Sequence, residues 1–362
     1  MKRFAAVLLT LAVLLCPSVR AAGPGISAAS AILIDGESGR VLYAQNAEEE
    51  RPIASITKLM TALVAVESHP DLSEVVTIRP EWTGVEGSSM YLKAGEELTL
   101  EALLYGLLLA SGNDAAVAIA GFCAGDVDTF VAWMNDKAAE LGMEDTHFSN
   151  THGYHDDDHY TSAYDIYLMC REAMKHETFR TIVGSKNYTM PATNLHPEPR
   201  IIRSTNALIS NFRVAGYIYE YATGIKTGST PEAGYCLAAS ATRENRNLIS
   251  VVMGCEREPG TSGSEGYIYF DETIRLFKWG FANFSTQTIL DNTKRDIPEV
   301  EVTLGKDAAS VTLMPDGKLT ALLPNDVSAE NFTYDYTLET RSVEAPVEQG
   351  QVLGTITAYF NG

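Results

Sequence analysis

The chain has 362 residues, 45% hydrophobic and 20% charged, which describes an ordinary globular protein with room for one large domain and a small one. Its formal net charge is −20, a balance that repels nucleic acid and anionic lipid headgroups. No basic stripe opposes that repulsion, so nucleic-acid binding is excluded as a function.

Residues 1–22 read as a secretory signal peptide: Lys2 and Arg3 precede the apolar run Phe4–Leu15, and Val19-Arg20-Ala21 marks the cleavage region. The run is short for a membrane span, and Cys16 follows two leucines rather than the small residue that precedes a lipid-modified cysteine. The expected protein is therefore exported, acts outside the cytoplasm and is no lipoprotein. Beyond the signal, Ala31–Asp35 and Arg40–Ala44 read as strands around the turn Gly36–Gly39. A mostly apolar helix then begins near Ser55, and further helices are predicted over Leu98–Leu109, Ala115–Phe122, Phe130–Leu141 and Tyr164–Lys175.

Tyr217, Tyr219 and Tyr221 alternate along a predicted strand and read as packing residues. Cys236–Ala241 and Leu248–Met253 read as two strands joined by the polar turn Glu244–Asn247. If Arg243 pairs with Leu248, Cys236 lies opposite Cys255, close enough for a disulfide; Cys123 and Cys170 complete the four cysteines after the signal. A closing helix is predicted over Phe270–Phe281. From about Asp296 the pattern changes to short alternating strands, Val300–Leu304, Val311–Leu313, Phe332–Tyr336 and Leu353–Tyr359. The expected organisation is a signal peptide (1–22), an α+β domain with an antiparallel sheet covered by helices plus an all-helical lobe (23–283), and a small all-β domain (284–362). No hydrophobic or amphipathic tail precedes Gly362, so membrane-surface association is not expected from that end.

Ser55 and Lys58 are three residues apart, hence on one face of a helix. By themselves they fit a helix cap with a snorkelling lysine. Two further motifs weigh against that: Ser111-Gly112-Asn113 at a break between helices, and Lys226-Thr227-Gly228 followed by Ser229 at a strand. In this order the three form the signature of penicillin-recognising serine acyl enzymes.

On these residues the chain resembles the serine-type D-alanyl-D-alanine carboxypeptidases, the low-molecular-mass penicillin-binding proteins. Ala31–Asp35, Phe148–Gly153, His159–Asp165, Gly224–Gly228 and Ala345–Gln351 extend the likeness over nearly the whole mature chain. The resemblance implies a β-lactamase/transpeptidase-like domain followed by the family's C-terminal β domain. It also implies a peptidoglycan stem peptide ending in D-Ala-D-Ala as substrate, β-lactams as inhibitors, and neither cofactor nor metal. Catalysis would fall to Ser55 as nucleophile, Lys58 as its base and Ser111 as proton shuttle. Asn113, Lys226, Thr227, Gly228 and Ser229 would bind substrate, with the backbone N–H groups of Ser55 and Ser229 as oxyanion hole. Lys58 can serve as base only if burial and the nearby Lys226 lower its pKa.

Two departures stand out. Ser229 occupies a place where many relatives carry histidine, and the segment Glu265–Asp271 lacks the arginine that relatives use to meet the substrate carboxylate, which leaves Arg257 as the nearest candidate. Three other readings fit the sequence less well. His152, His155 and His159 among Asp156, Asp157 and Asp158 could suggest a zinc carboxypeptidase, but no helix-spaced His-Glu pair accompanies them. A class A β-lactamase needs a Glu-x-x-Leu-Asn motif that is missing here. An inactive envelope-binding module would not be expected to keep all three motifs. Asp165 reads as a structural residue bonding nearby backbone.

Overall fold

In the computed structural model the described residues are 5–9, 23–257, 260, 266–293 and 297–360. They form two compact units, one over residues 23–280 and the other over 281–362 together with the first 22. Most of the expected signal peptide lies outside the described residues. Ala5–Leu9 is a strand that pairs in parallel with Ser310–Pro315 and Gly354–Phe360.

The larger unit is built on a five-stranded antiparallel sheet. Its strands are β1 (Ser30–Asp35), β2 (Val41–Gln45), β3 (Ala222–Thr230), β4 (Gly234–Arg243) and β5 (Arg246–Cys255), in the order β3-β4-β5-β1-β2. Every residue of β1 is buried, because the sheet is covered on both faces. Ile32 and Ile34 join the main core with α1 (Lys58–Ser68). Leu33 points the other way, against Gly280 of α7 (Ile268–Asn283), where a Cβ would lie 2.7 Å from Leu33 Cδ2. Glycine is needed there for the helix to approach the sheet.

The helical lobe comprises α2 (Leu100–Leu108), α3 (Asn113–Ala124) and α4 (Val127–Leu141), packed around α1, with α5 (Ala163–Ala173) and α6 (Glu177–Gly184) following. Capping sets the starts. Thr99 accepts from Ala102 N at 3.2 Å, so α2 begins after the strand Glu97–Thr99 rather than within it. Asp126 caps α4 through Thr129 N at 2.8 Å, three residues ahead of the apolar periodicity. Helix α6 and the hairpin Asn187–Met190/Arg200–Arg203 were not expected from the pattern.

Two expectations are corrected. The β4–β5 turn is Glu244–Asn245, both left-handed at φ 52° and 62°, so Arg243 pairs with Arg246 rather than Leu248. A two-residue turn of this kind matches the twist of the flanking strands better than the four-residue turn the polar run suggested. With a bulge beyond Tyr235, Cys255 then faces Tyr235 instead of Cys236, and all four cysteines are buried free thiols. Tyr217 and Tyr219 belong to no strand, but they are packing residues as expected, against Phe270 and Phe277.

The smaller unit carries β6 (Phe284–Leu290), β7 (Glu299–Thr303), β8 (Ser310–Pro315), β9 (Leu319–Pro324), β10 (Phe332–Leu338), β11 (Ser342–Glu344) and β12 (Gly354–Phe360). β6 pairs with β9, and the others, with Ala5–Leu9 between β12 and β8, form a second sheet around a core that includes Val300, Leu313 and Ile356. Among the described residues no single helix is long and apolar enough to cross a membrane.

Candidate active site

Ser55 lies in a short 3-10 turn, Ala54–Thr57, that feeds directly into α1. Its side chain makes no capping bond, which removes the helix-cap reading. Ala54 just before it holds φ at +51°, and Ser111 at the α2–α3 break holds +63°. Strained non-glycine residues of this kind cost of order 1–3 kcal/mol each and persist where the surrounding structure imposes them. Here they flank the reactive groups and aim Ser55 and Ser111 into one cleft of about 390 Å³, which Thr227, Gly228 and Ser229 of the sheet-edge strand β3 also line.

Lys58 Nζ lies 2.8 Å from Ser55 Oγ and donates at 2.6 Å to the carbonyl oxygen of His152. Lys58 is wholly buried. Burial first, and then the charge of Lys226, hold its pKa well below 10.5, with Asp114 opposing. A neutral amine in this position keeps one N–H on His152 O and turns its lone pair to the Ser55 hydroxyl. Lys226 is buried too: it donates to Ser111 Oγ at 3.0 Å and to Thr227 O at 2.7 Å, and burial aided by Arg213 lowers its pKa to about 7. Two hydroxyl–lysine pairs, Ser55–Lys58 and Ser111–Lys226, thus stand at the cleft.

Asn113 donates through Nδ2 to Glu86 O at 2.5 Å and through its backbone N–H to Ser88 O at 2.7 Å. Asp114 beside it accepts from Ser89 Oγ, Met90 N and Leu92 N at 2.7–3.1 Å, so α3 and the segment over the cleft are tied as one piece. Gly228 packs against the nucleophile's backbone: a Cβ there would lie 3.0 Å from Ser55 N and 3.1 Å from Ile56 N. Thr227 Oγ1 and Thr205 Oγ1 share a hydrogen bond of 2.7 Å.

The structure therefore brings Ser55, Lys58, Ser111, Asn113, Lys226, Thr227, Gly228 and Ser229 to one place. His159 is not turned to the cleft as a ligand; its Nε2 meets Thr57 Oγ1 at 2.7 Å and its Nδ1 accepts from Ser149 N at 2.9 Å. Among the described residues the one cluster with metal-ligand spacing is elsewhere, Glu67, Glu172 and His176, where Lys137 and Lys175 already pair with the two carboxylates. Asp165 accepts from Asp145 N and Thr146 Oγ1, the structural part expected of it. Arg257 is stacked on Tyr267 at 4.6 Å and is not among the residues lining the cleft.

Sequence reasoning missed the contribution of His152, which acts through its backbone carbonyl and so has no residue-type signal. It also missed Arg213, Thr205 and the tyrosines Tyr235, Tyr267 and Tyr269 that line the same cleft. Gly153 follows the carbonyl that holds Lys58. Its φ is +84°, and a Cβ there would fall 1.8 Å from Ala54 O. Gly153→Ala is therefore expected to destabilise the protein by about 3 kcal/mol or more. The check is the urea unfolding midpoint; an unchanged midpoint would contradict the tight packing of this loop on the Ser55 turn.

A serine hydroxyl held against a buried lysine amine, beside a second hydroxyl–lysine pair and an open sheet edge, is the equipment of a serine acyl-transfer enzyme. The chain belongs to the D-alanyl-D-alanine carboxypeptidase family, whose profile matches residues 18–257. It is 32% identical to the D-alanyl-D-alanine carboxypeptidase DacF of Bacillus subtilis over 345 residues, 92% of this chain and 82% of the relative. It is 35% identical to DacA of Escherichia coli over 353 residues, 94% of this chain and 81% of the relative. Among solved structures, penicillin binding protein 5 from Haemophilus influenzae superposes with a TM-score of 0.72 at 30% identity, covering 95% of each chain. A mutant of the Streptomyces K15 DD-transpeptidase gives 0.64 at 32% identity, covering 72% of this chain and 100% of that one.

Proposed function

We propose that this protein is an exported, penicillin-binding serine D,D-carboxypeptidase that removes the terminal D-alanine from peptidoglycan stem pentapeptides and so limits cross-linking. Ser55 Oγ attacks the carbonyl between the two D-alanines as its proton passes to the neutral Lys58 amine. The developing oxyanion is met by backbone N–H groups of Ser55 and Ser229, donors of a kind that contributes roughly 3–4 kcal/mol. Ser111 relays the proton taken up by Lys58 to the leaving nitrogen as the C–N bond breaks and D-alanine departs, which returns Lys58 to its neutral form. Water then attacks the Ser55 ester, releasing the shortened peptide. Asn113 and the edge strand with Lys226, Thr227 and Gly228 hold the peptide, and residues 284–362 form the separate C-terminal β domain.

The observation that carries this reading is the 2.8 Å contact between Ser55 Oγ and an amine wholly buried and held below its ordinary pKa. It is tested by incubating the protein with benzylpenicillin and weighing it intact. The expected result is a stoichiometric adduct that maps to the peptide containing Ser55 and persists, because no glutamate is among the described residues that line the cleft. Folded protein that forms no adduct overturns the reading. An adduct that turns over rapidly would make the protein a β-lactamase instead.

A further inference from the structure

A peptide that ends in D-alanine brings its free terminal carboxylate into the cleft, and a carboxylate leaving water needs a charged or hydrogen-bonding partner. Lys226 is poorly suited to the task. Its Nζ is already engaged by Ser111 Oγ and Thr227 O, and its pKa of about 7 leaves it only partly charged at neutral pH. Arg213 lines the same cleft as Ser55, Thr205, Thr227 and Ser229, close enough for its charge to act on Lys226. A guanidinium stays charged and presents a planar fork of donors that matches a carboxylate. Among the described residues Arg213 has neither an ion pair nor a hydrogen bond within the protein, so that fork is unclaimed.

An exposed, unpaired arginine is common and means little by itself. Arg213 differs in how its segment is fixed. The ring of Phe212 on one side lies under the Arg203 guanidinium, 3.7 Å from its centre, and Val214 on the other side is buried. Gly216 N donates to Asn211 Oδ1 at 3.3 Å and closes the loop. Tyr217 is buried against Phe270 and accepts at its hydroxyl from Tyr267 N at 3.2 Å. The loop thus carries one cation between two anchors into the cleft. There the Thr205–Thr227 hydroxyl pair, bonded at 2.7 Å, keeps one O–H free to donate. The packed tyrosines Tyr235, Tyr267 and Tyr269 also line the cleft and offer no charge.

We propose that Arg213, from the loop preceding β3, binds the α-carboxylate of the departing D-alanine together with the Thr205–Thr227 hydroxyls. It would thereby set the enzyme's requirement for a free C-terminus. The proposal rests on the carboxypeptidase reading above.

The test compares an acylated D-Ala-D-Ala peptide with its C-terminal amide, in the wild type and in Arg213→Ala and Arg213→Lys. Wild type is expected to prefer the acid in kcat/KM by about 10- to 100-fold, the scale of a charge-assisted hydrogen-bonded pair. Arg213→Ala should lose most of that preference by slowing on the acid while its rate on the amide holds. Arg213→Lys should recover part of it. The acid-to-amide ratio does not depend on the fraction of folded enzyme, so partial misfolding cannot imitate the result. An Arg213→Ala enzyme that keeps the wild-type ratio overturns the proposal, as does a wild type indifferent to the amide. A wild type that releases no D-alanine and takes no penicillin overturns the carboxypeptidase reading itself, which is a separate failure.

Discussion

Ser55→Ala is expected to lower kcat for D-alanine release by on the order of 10⁶-fold, the scale on which loss of a serine nucleophile acts when the rest of the site remains. The substitution should leave the fold intact. Ser55 is only half-buried, and Lys58 keeps its bond to His152 O when the hydroxyl is gone. Melting temperature and circular dichroism should therefore match the wild type while D-alanine release, followed by a coupled D-amino-acid assay, falls to background. Penicillin should leave no adduct on this variant. Turnover within tenfold of the wild type would remove Ser55 from the mechanism and redirect attention to the histidine-rich segment His152–His159.

Lys58→Ala should cost about 10²- to 10⁴-fold in acylation, the usual range for a positioned general base. Lys58→Arg separates base from charge. Arginine carries a fixed charge and does not surrender its proton, so it should fail as well. The pH profile gives the sign. A base acts in its neutral form, and burial together with Lys226 holds the Lys58 pKa well below 10.5. Wild-type acylation should therefore rise with pH and level off above a midpoint well under that of a free lysine, and the limb should vanish in Lys58→Arg. Stopped-flow acylation by a chromogenic cephalosporin measures both. An arginine variant with more than a tenth of wild-type activity would show that Lys58 supplies charge rather than proton transfer.

The chemistry was legible in the sequence because the reactive groups come in short local motifs. Ser55 and Lys58 share one face of a turn and helix, Ser111 and Asn113 share one break between helices, and Lys226 to Ser229 share one strand. Spacing over a few residues survives as spacing in space, and the order of the three motifs carried the family. Apolar periodicity likewise located most helices, missing their starts by one to three residues where Thr99 and Asp126 supply caps. The β4–β5 register failed for an equally local reason. A polar run of four residues looked like the turn, but two of them extend the strands once Glu244 and Asn245 adopt left-handed conformations.

By itself, then, the sequence determined the family and singled out the three motifs that the fold brings to one cleft. The tertiary structure decided which groups do work that residue type does not advertise. The carbonyl that orients Lys58 belongs to a loop 94 residues away, and any residue could have supplied it. The depressed pKa of Lys58 depends on burial and on Lys226, 168 positions further along the sequence. Arg213 carries no signal in the sequence, and only the packing of Phe212, Val214 and Tyr217 fixes its segment at the cleft. Electrostatic and packing effects fall off over a few ångströms in space and take no account of distance along the chain, so these features become readable only when the chain has closed around the site.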